Sequence, residues 1–385
     1  MDWETPYKHP VVVSAQQAKR GQHVCGDMLF ENREADGATF MLLDGIGSGI
    51  KANLAAQFVS ARLAELLKRG FSAKEGTGRL LEMLHRARTE DVLFSAFTLL
   101  RVLPDGSVHA VSYEMPPPVY IEKGNAALAR QRFLTISGEI VGEADFTLRS
   151  GAGVLIVSDG ITQAGMGYSL PYGLTAEGVC EFAATRLRQG DKKENLPALL
   201  TKEAERLCGG DPRDDASAAL FSVRPGNTVH ILTGPPARSD DDGSFVAQFM
   251  ACHGSKAICG STTSEIFSRI SGLPLRMSAS ANPFEPPESF IDGIDMVTEG
   301  ALTLNQLYNI MEEKEERLDA ASPVSRLRLL LDKADRVRFC VGSADNQGHS
   351  GIIFRQLNVL PRRAIIPLIA DKLRAQGKLV IVENF

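Results

Sequence analysis

The stretch Phe40-Met41-Leu42-Leu43-Asp44-Gly45-Ile46-Gly47-Ser48-Gly49 decides the reading of this 385-residue chain. Four apolar residues in a row predict a buried strand, and the run ends on an acid followed by a glycine-rich turn. From Lys51 to Leu67 apolar residues recur at helical spacing. Asp44 therefore sits where a core strand gives way to a helix, held on a rigid element and facing an opening. Gly45, Gly47 and Gly49 allow a tight turn and leave main-chain carbonyls and amides open to a ligand. A single Asp in this position reads equally well as a helix cap.

Three further acidic sites shift that balance. Asp27 follows Cys25-Gly26, just before Met28-Leu29-Phe30. Asp159 closes the run Val154-Leu-Ile-Val-Ser158 and is followed by Gly160, repeating the pattern of an apolar strand that ends in Asp-Gly. Asp214 and Asp215 precede the short strand Ala216–Val223. Asp36-Gly37 marks a hairpin between strands expected over 26–33 and 38–43, and such a hairpin brings Asp27 and Asp44 to the same edge. Carboxylates gathered at strand ends, with no His or Cys ligand set beside them, are the donors that hard divalent cations prefer.

Cys-Gly-Asp27, Leu-Asp44-Gly-Ile-Gly-Ser-Gly49, Val-Ser-Asp159-Gly-Ile161 and Asp214-Asp-Ala-Ser217 resemble, in order, the metal motifs of a known family over roughly residues 8–224. It is the stage II sporulation protein E-like branch of the metal-dependent serine/threonine phosphatases, with the protein phosphatase 2C-like fold. The resemblance implies an α+β fold: a β-sandwich flanked by helices (α/β/β/α), with two Mn2+ or Mg2+ ions at one end. It implies that Asp44 bridges the metals, that the Gly45 carbonyl binds one of them, and that Asp27 binds a metal directly or through water. Asp159 and Asp214 would complete the other ion's coordination; the family register favours Asp214 over Asp215. Asp44 and Asp159 are the implied catalytic residues. The implied reaction is hydrolysis of phosphoserine or phosphothreonine on a regulatory phosphoprotein, such as an anti-sigma factor antagonist, by a hydroxide held between the two ions.

Three features depart from expected patterns, the first and last from that of the eukaryotic members and the second from that of the family. Ile46 stands where those enzymes usually carry His, and Tyr113-Glu114-Met115 where the family usually shows a Gly-His-Pro-Pro type segment, which is expected near the site and relevant to substrate choice. The phosphate-binding Arg has no clear counterpart, leaving Lys19, Arg20 and Lys51 as candidates. These departures keep a second reading open: a catalytically silent phosphatase-fold regulator that binds a phosphoprotein, with its C-terminal domain sensing a small ligand.

Composition is compatible with either reading. A 44% hydrophobic content supports sizeable cores, and a formal charge of -5 gives no basic excess for nucleic acid. Six cysteines without a CxxC pair suit a reducing, cytoplasmic setting. No apolar run reaches ~18 residues, so neither a membrane span nor a signal peptide is expected.

Along the rest of the chain, a first strand is expected over 9–17, helices over about 50–69 and 74–90, and a hairpin over 94–103 and 107–113. A third hairpin is expected over 144–149 and 153–158, then a mobile glycine-rich loop over 162–173 and helices over about 175–188 and 194–207. Pro225-Gly226-Asn227 reads as a linker between a phosphatase domain, 1–224, and an accessory domain, 226–385. Strands near 228–232, 256–259, 273–277, 336–341 and 378–382 alternate with helices near 243–253, 262–271, 303–317, 323–333 and 362–376. This alternation predicts a smaller α/β domain with a mostly parallel sheet, for partner docking or regulation. Its turns Thr233-Gly-Pro-Pro236 and Cys259-Gly-Ser-Thr-Thr263 are candidate sites for a small ligand.

Overall fold

The computed structural model describes residues 3–4, 6–86, 94–277, 288–344 and 359–385. They form two compact units, Pro10–Arg224 and Met1–His9 with Pro225–Phe385. The first nine residues, read from sequence as part of the phosphatase domain, thus belong with the second unit.

The first unit contains β1 (Lys8–Gln17), β2 (Met28–Glu34), β3 (Gly37–Gly45), α1 (Gly49–Lys68), α2 (Ala73–Arg86), β4 (Ser95–Val102), β5 (Ser107–Tyr113), β6 (Val119–Glu122), β7 (Asn125–Leu128), β8 (Arg132–Ile136), β9 (Glu139–Thr147), β10 (Gly153–Val157), α3 (Asp159–Thr162), α4 (Thr175–Arg188), α5 (Leu196–Leu207) and β11 (Ala216–Pro225). Two sheets form, in the orders β2-β3-β4-β5-β9-β8 and β1-β11-β10-β6-β7. Phe40 and Leu42 of β3 pack between the sheets with Val154, Ile156 and Phe221. Their neighbours Met41 and Leu43 face outward onto Ala56, Val59 and Leu63 of α1 and Leu80 of α2. Leu155 and Val157 likewise face Val179 of α4 and Leu200 of α5. Both apolar runs are therefore continuous because helices cover the outer face of each sheet, giving four layers, α/β/β/α. Each fully buried side chain contributes about 1.5–3 kcal/mol.

The β2–β3 register runs from Met28 opposite Leu43 to Glu34 opposite Gly37. The turn is thus Ala35-Asp36, one residue earlier than Asp36-Gly37. One further step in that register sets Asp27 opposite Asp44. By strand alternation Asp44 shares the inward face of Phe40 and Leu42, at the mouth of the sandwich.

The expected third hairpin does not form. β9 pairs with β5 and β8 in one sheet, whereas β10 pairs with β6 and β11 in the other. Ser150–Gly153 carries the chain between sheets, and Leu148 and Ala152 plug the sandwich core on the way. The glycine-rich segment 162–173, expected to be mobile, is tied by backbone hydrogen bonds, with the Tyr168, Ser169 and Leu170 amides all donating to the Gly165 carbonyl at 3.0 Å. The second helix is described as far as Arg86, and the rest of its expected range, to about 90, lies outside the described residues.

The second unit contains β12 (Thr228–Thr233), α6 (Asp242–Ala251), β13 (Ser255–Cys259), α7 (Ser261–Ser271), β14 (Arg276–Met277), β15 (Glu288–Phe290), β16 (Met296–Thr298), α8 (Ala301–Ile310), α9 (Pro323–Asp332), β17 (Arg336–Val341), α10 (Arg362–Ala375) and β18 (Leu379–Asn384). Its sheet order is β14-β15-β16-β13-β12-β17-β18, parallel from β16 to β18 with an antiparallel β14–β15 edge. The helix expected to reach 317 stops at Ile310, leaving Glu312–Arg317 outside it. Pro225-Gly226-Asn227 is a packed junction: the Gly226 amide donates to Tyr7 O and the Asn227 amide to Asp335 Oδ2. Trp3 stacks under the guanidinium groups of Arg336 and Arg338, at 4.5 and 4.6 Å from its ring centroid. No described helix is long and apolar enough to cross a membrane.

Because Trp3 and Tyr7 pack in the second unit, a fragment of residues 10–224 should fold cooperatively by circular dichroism and thermal melting. In the full chain Trp3→Ala should destabilise only the later-numbered unit, by about 2–4 kcal/mol. A molten 10–224 fragment would show that the sandwich needs the remainder of the chain.

Candidate active site

The acids meet because glycine permits close backbone contact. A Cβ on Gly45 would lie 1.9 Å from the Ala52 carbonyl oxygen of α1, and one on Gly160 would lie 2.0 Å from the Asp215 carbonyl oxygen. A Cβ on Gly26 would meet Ala52 Cβ at 2.7 Å and Asp215 Oδ2 at 2.8 Å. Each glycine adjoins an acid: Gly26 with Asp27, Gly45 with Asp44, Gly160 with Asp159. Gly45 is thus required by packing; the left-handed turn positions are Gly47 and Gly49, at φ 108° and 64°.

Asp27 is 2% exposed, and both its carboxylate oxygens lack a hydrogen-bond partner. Burial pushes its carboxyl up to about 7, against the pull of nearby Ser217 and Ser158 and with a further push from Asp215 and Asp159. Asp44 is half-buried and raised to about 9, first by burial and then by the charges of Asp27 and Asp159. Burial also raises Asp214, with Asp159 adding to it and Lys19 opposing it. Asp159 Oδ1 is buried without a partner, while its Oδ2 accepts from Gln163 Nε2 at 2.9 Å. The charges of Asp27, Asp159 and Asp214 thus reach Asp44, and that of Asp159 also reaches Asp27 and Asp214.

Asp215 has a separate task. Its carboxylate accepts from the Lys19 amide at 2.8 Å and the Gly26 amide at 3.0 Å, pinning the segment that carries Asp27. Asp214 Oδ1 takes the Asp215 amide at 2.9 Å, and the residue itself remains exposed. Sequence reasoning missed this clamp, together with Gln163 and the paired buried serines 158 and 217. Their only signal was the small-residue context beside each acid.

Of the candidate phosphate-binding cations, Lys19 is placed where its charge reaches Asp214, whereas Arg20 pairs with Asp211 at 2.8 Å. Tyr113 is only 2% exposed and sits edge-on to Phe94, 5.6 Å between centroids; the Phe94 carbonyl in turn accepts from the Ile46 amide at 3.1 Å. It supports the Asp-Gly loop from behind and offers no surface to a substrate. Ile46 is 63% exposed and has no proton to donate. The Cys25 thiol, pushed up to about 12 by burial and the nearby acids, is a packing group.

Among the described residues, no three His, Cys, Asp or Glu side chains are already drawn in around one point as a closed metal cage. The donor set nevertheless fits hard divalent cations in kind: oxygen ligands only, two of the carboxylates with buried oxygens lacking a partner, and mutual repulsion that a cation would relieve. In the second unit, the turns at 233–235 and 259–263 line one small cavity with Glu299, Gly300 and Arg362. The Thr263 hydroxyl already accepts from the Gly234 amide at 2.9 Å, so it straps the two turns together.

This is a protein phosphatase 2C-type sandwich with an acidic mouth. Residues 34–224 match the family model described as stage II sporulation protein E (SpoIIE), which makes that segment SpoIIE-like. Asp27 lies ahead of the matched segment. No curated protein matches the chain. Among solved structures, the phosphatase domain of the cell fate determinant SpoIIE from Bacillus subtilis is similar at 19% identity, over 57% of this chain and 95% of that one, with a TM-score of 0.45. The RsbU and RsbW domains of a Mycobacterium tuberculosis protein are similar at 15% identity, over 69% and 72%, with a TM-score of 0.44. RsbX, solved in complex with magnesium, is similar at 15% identity, over 56% and 96%, with a TM-score of 0.40.

Two outcomes follow from this packing. Gly45→Ala should destabilise the sandwich by about 2–4 kcal/mol, because its Cβ meets backbone that cannot swing aside. For Asp44 the folded pKa lies above its unfolded value, so the folded state holds the extra proton and stability falls as pH rises from about 4 toward about 9. Asp44→Asn should therefore raise the melting temperature of metal-free protein at pH 7–8 and flatten that slope in thermal melts across pH.

Proposed function

We propose that this chain is a protein phosphatase acting on phosphoserine or phosphothreonine in a regulatory phosphoprotein, and that it depends on two divalent cations, Mn2+ or Mg2+. The observation that carries the reading is Asp27, a buried carboxylate with both oxygens unpartnered, in the same electrostatic group as Asp44, Asp159 and Asp214. A stable fold tolerates such a group only if protons or cations neutralise it.

When bound, the cations supply charge neutralisation for the phosphoryl oxygens and lower the pKa of water, as a slow phosphomonoester hydrolysis requires. The chain's share is to hold and orient. Asp44, at the end of a strand packed on both faces, would hold the ions together with the adjacent Gly45 carbonyl. Asp27 would help to hold an ion directly or through water, and Asp159 and Asp214 would help to hold the other. Gln163 fixes the Asp159 carboxylate, Asp215 fixes the Asp27 segment, and Lys19 offers a positive charge to the incoming phosphate. Since Ile46 cannot protonate the leaving serine, solvent water fills that role.

A substrate of the anti-sigma factor antagonist type rests on the family resemblance, and a cytoplasmic setting on the six cysteines without a CxxC pair. The unit that follows Pro225 would then regulate. Its cavity lies at the carboxyl ends of parallel strands, where open α/β sheets take their ligands.

p-Nitrophenyl phosphate turnover with Mn2+, Mg2+ or EDTA tests the reading. Wild-type protein should turn over only with metal, and Asp44→Asn and Asp159→Asn should each lose roughly 10²-fold or more while remaining folded. Phosphoprotein binding without any turnover would favour the catalytically silent regulator.

A further inference from the structure

A cavity of about 180 Å3 opens beside the acids in the first unit. Its walls come from the same short segments that carry them. Gly160 to Tyr168 follow Asp159, while Pro212 to Ala216 include Asp214. The end of α5 closes the far side with Ala204, Glu205 and Cys208. Buried Ala164, Ala204 and Ala216 make the interior, at 2–4% exposure, whereas Met166 and Tyr168 stand at the lip 48% and 67% exposed.

Size and lining narrow the occupant. A cavity of ~150 Å3 is enough for benzene, so this one has room for a Leu, Met or Phe side chain and little more. The interior alanines and the thiol of Cys208 carry no charge, whereas the polar part of the lining lies toward the acids, with Asp214 itself and Gln163, which binds Asp159, in the wall; Arg213, Glu205 and Asp214 all lie at exposed positions. A group seated here is tied to the acids by a few residues of shared wall. Its partner phosphate must therefore lie within a few residues of it along an extended chain, at about 3.3–3.6 Å per residue.

We propose that this cavity is a specificity subsite that receives a large apolar side chain flanking the phosphorylated serine or threonine, with Met166 and Tyr168 closing over it. The inference rests on the phosphatase reading above and adds a substrate class: phosphoprotein segments with Leu, Met or Phe near the phosphate, in preference to acidic or glycine-rich ones. Burying such a side chain is worth ~10–200-fold in discrimination at a pocket of this kind.

The test uses full-length protein and a set of phosphoserine peptides differing at single flanking positions, Leu or Phe against Asp or Gly. kcat/KM is measured with Mn2+. Binding is measured separately by fluorescence anisotropy on matching peptides that carry a non-hydrolysable phosphonate. At one flanking position the apolar peptides should win by at least about tenfold in both measurements. Met166→Asp, at the exposed lip, and Ala204→Leu, which fills the interior, should each abolish that preference while leaving p-nitrophenyl phosphate turnover unchanged. Selective binding with no turnover of any substrate would leave the subsite standing and remove the phosphatase reading. Equal handling of all peptides by a metal-dependent enzyme would overturn the subsite alone. So would a preference confined to nucleoside monophosphates over ribose 5-phosphate, since the occupant would then be a base.

Discussion

Three close contacts at glycine set everything else in the first unit. Ala52 of α1 lies against Gly26 and Gly45, and the Asp215 carbonyl lies against Gly160. At Gly45 and Gly160 no other residue fits without moving main chain, at Gly26 a Cβ would meet Ala52 Cβ and the Asp215 carboxylate, and each glycine adjoins an acid of the site. The carboxylates of two different sheets meet because the elements bearing them approach more closely than side chains allow. Apolar packing drives that approach: Phe40 and Phe221 stack 4.7 Å apart between the sheets, just behind the acidic mouth.

Convergence has an electrostatic cost. Asp27, Asp44 and Asp214 are all pushed upward, with burial the largest cause in each case and neighbouring carboxylates adding to it. Asp215 accepts two backbone amides, from Lys19 and Gly26, and Asp159 takes Gln163 on one oxygen. What remains is a set of oxygens with unmet bonding capacity, two of them on Asp27. On the proposed reading that unmet capacity is what divalent cations use, and relief of repulsion is part of their binding free energy. Stability of the metal-free sandwich and avidity for metal are then two sides of one compromise.

Much of this was legible from local pattern. The apolar run ending at Asp44, the Asp-Gly turns and the β2–β3 hairpin are nearest-neighbour features, and the hairpin register alone sets Asp27 beside Asp44. Long-range partnerships were not legible. Asp215 looks like a duplicate of Asp214 until Lys19 and Gly26, nearly 200 residues earlier in the chain, appear at its carboxylate. The segment 144–158 carries strand-turn-strand chemistry, yet its strands join different sheets, because alternation specifies a face and not a partner. Gly45 looked like a turn residue, since a sequence does not display the helix that passes 1.9 Å from its missing Cβ. In the second unit, the three-residue strands Glu288–Phe290 and Met296–Thr298 are too short for any periodicity to mark them.

The most direct measurement is calorimetric titration of Mn2+ into the metal-free protein at pH 7, repeated in buffers of different ionisation enthalpy. Binding accompanied by net proton release, lost in Asp44→Asn, is the expected result, because cations must displace protons that burial and repulsion hold on Asp27 and Asp44. Absence of Mn2+ and Mg2+ binding at millimolar concentration, with the protein folded, would contradict the central claim that these acids are gathered to hold divalent cations.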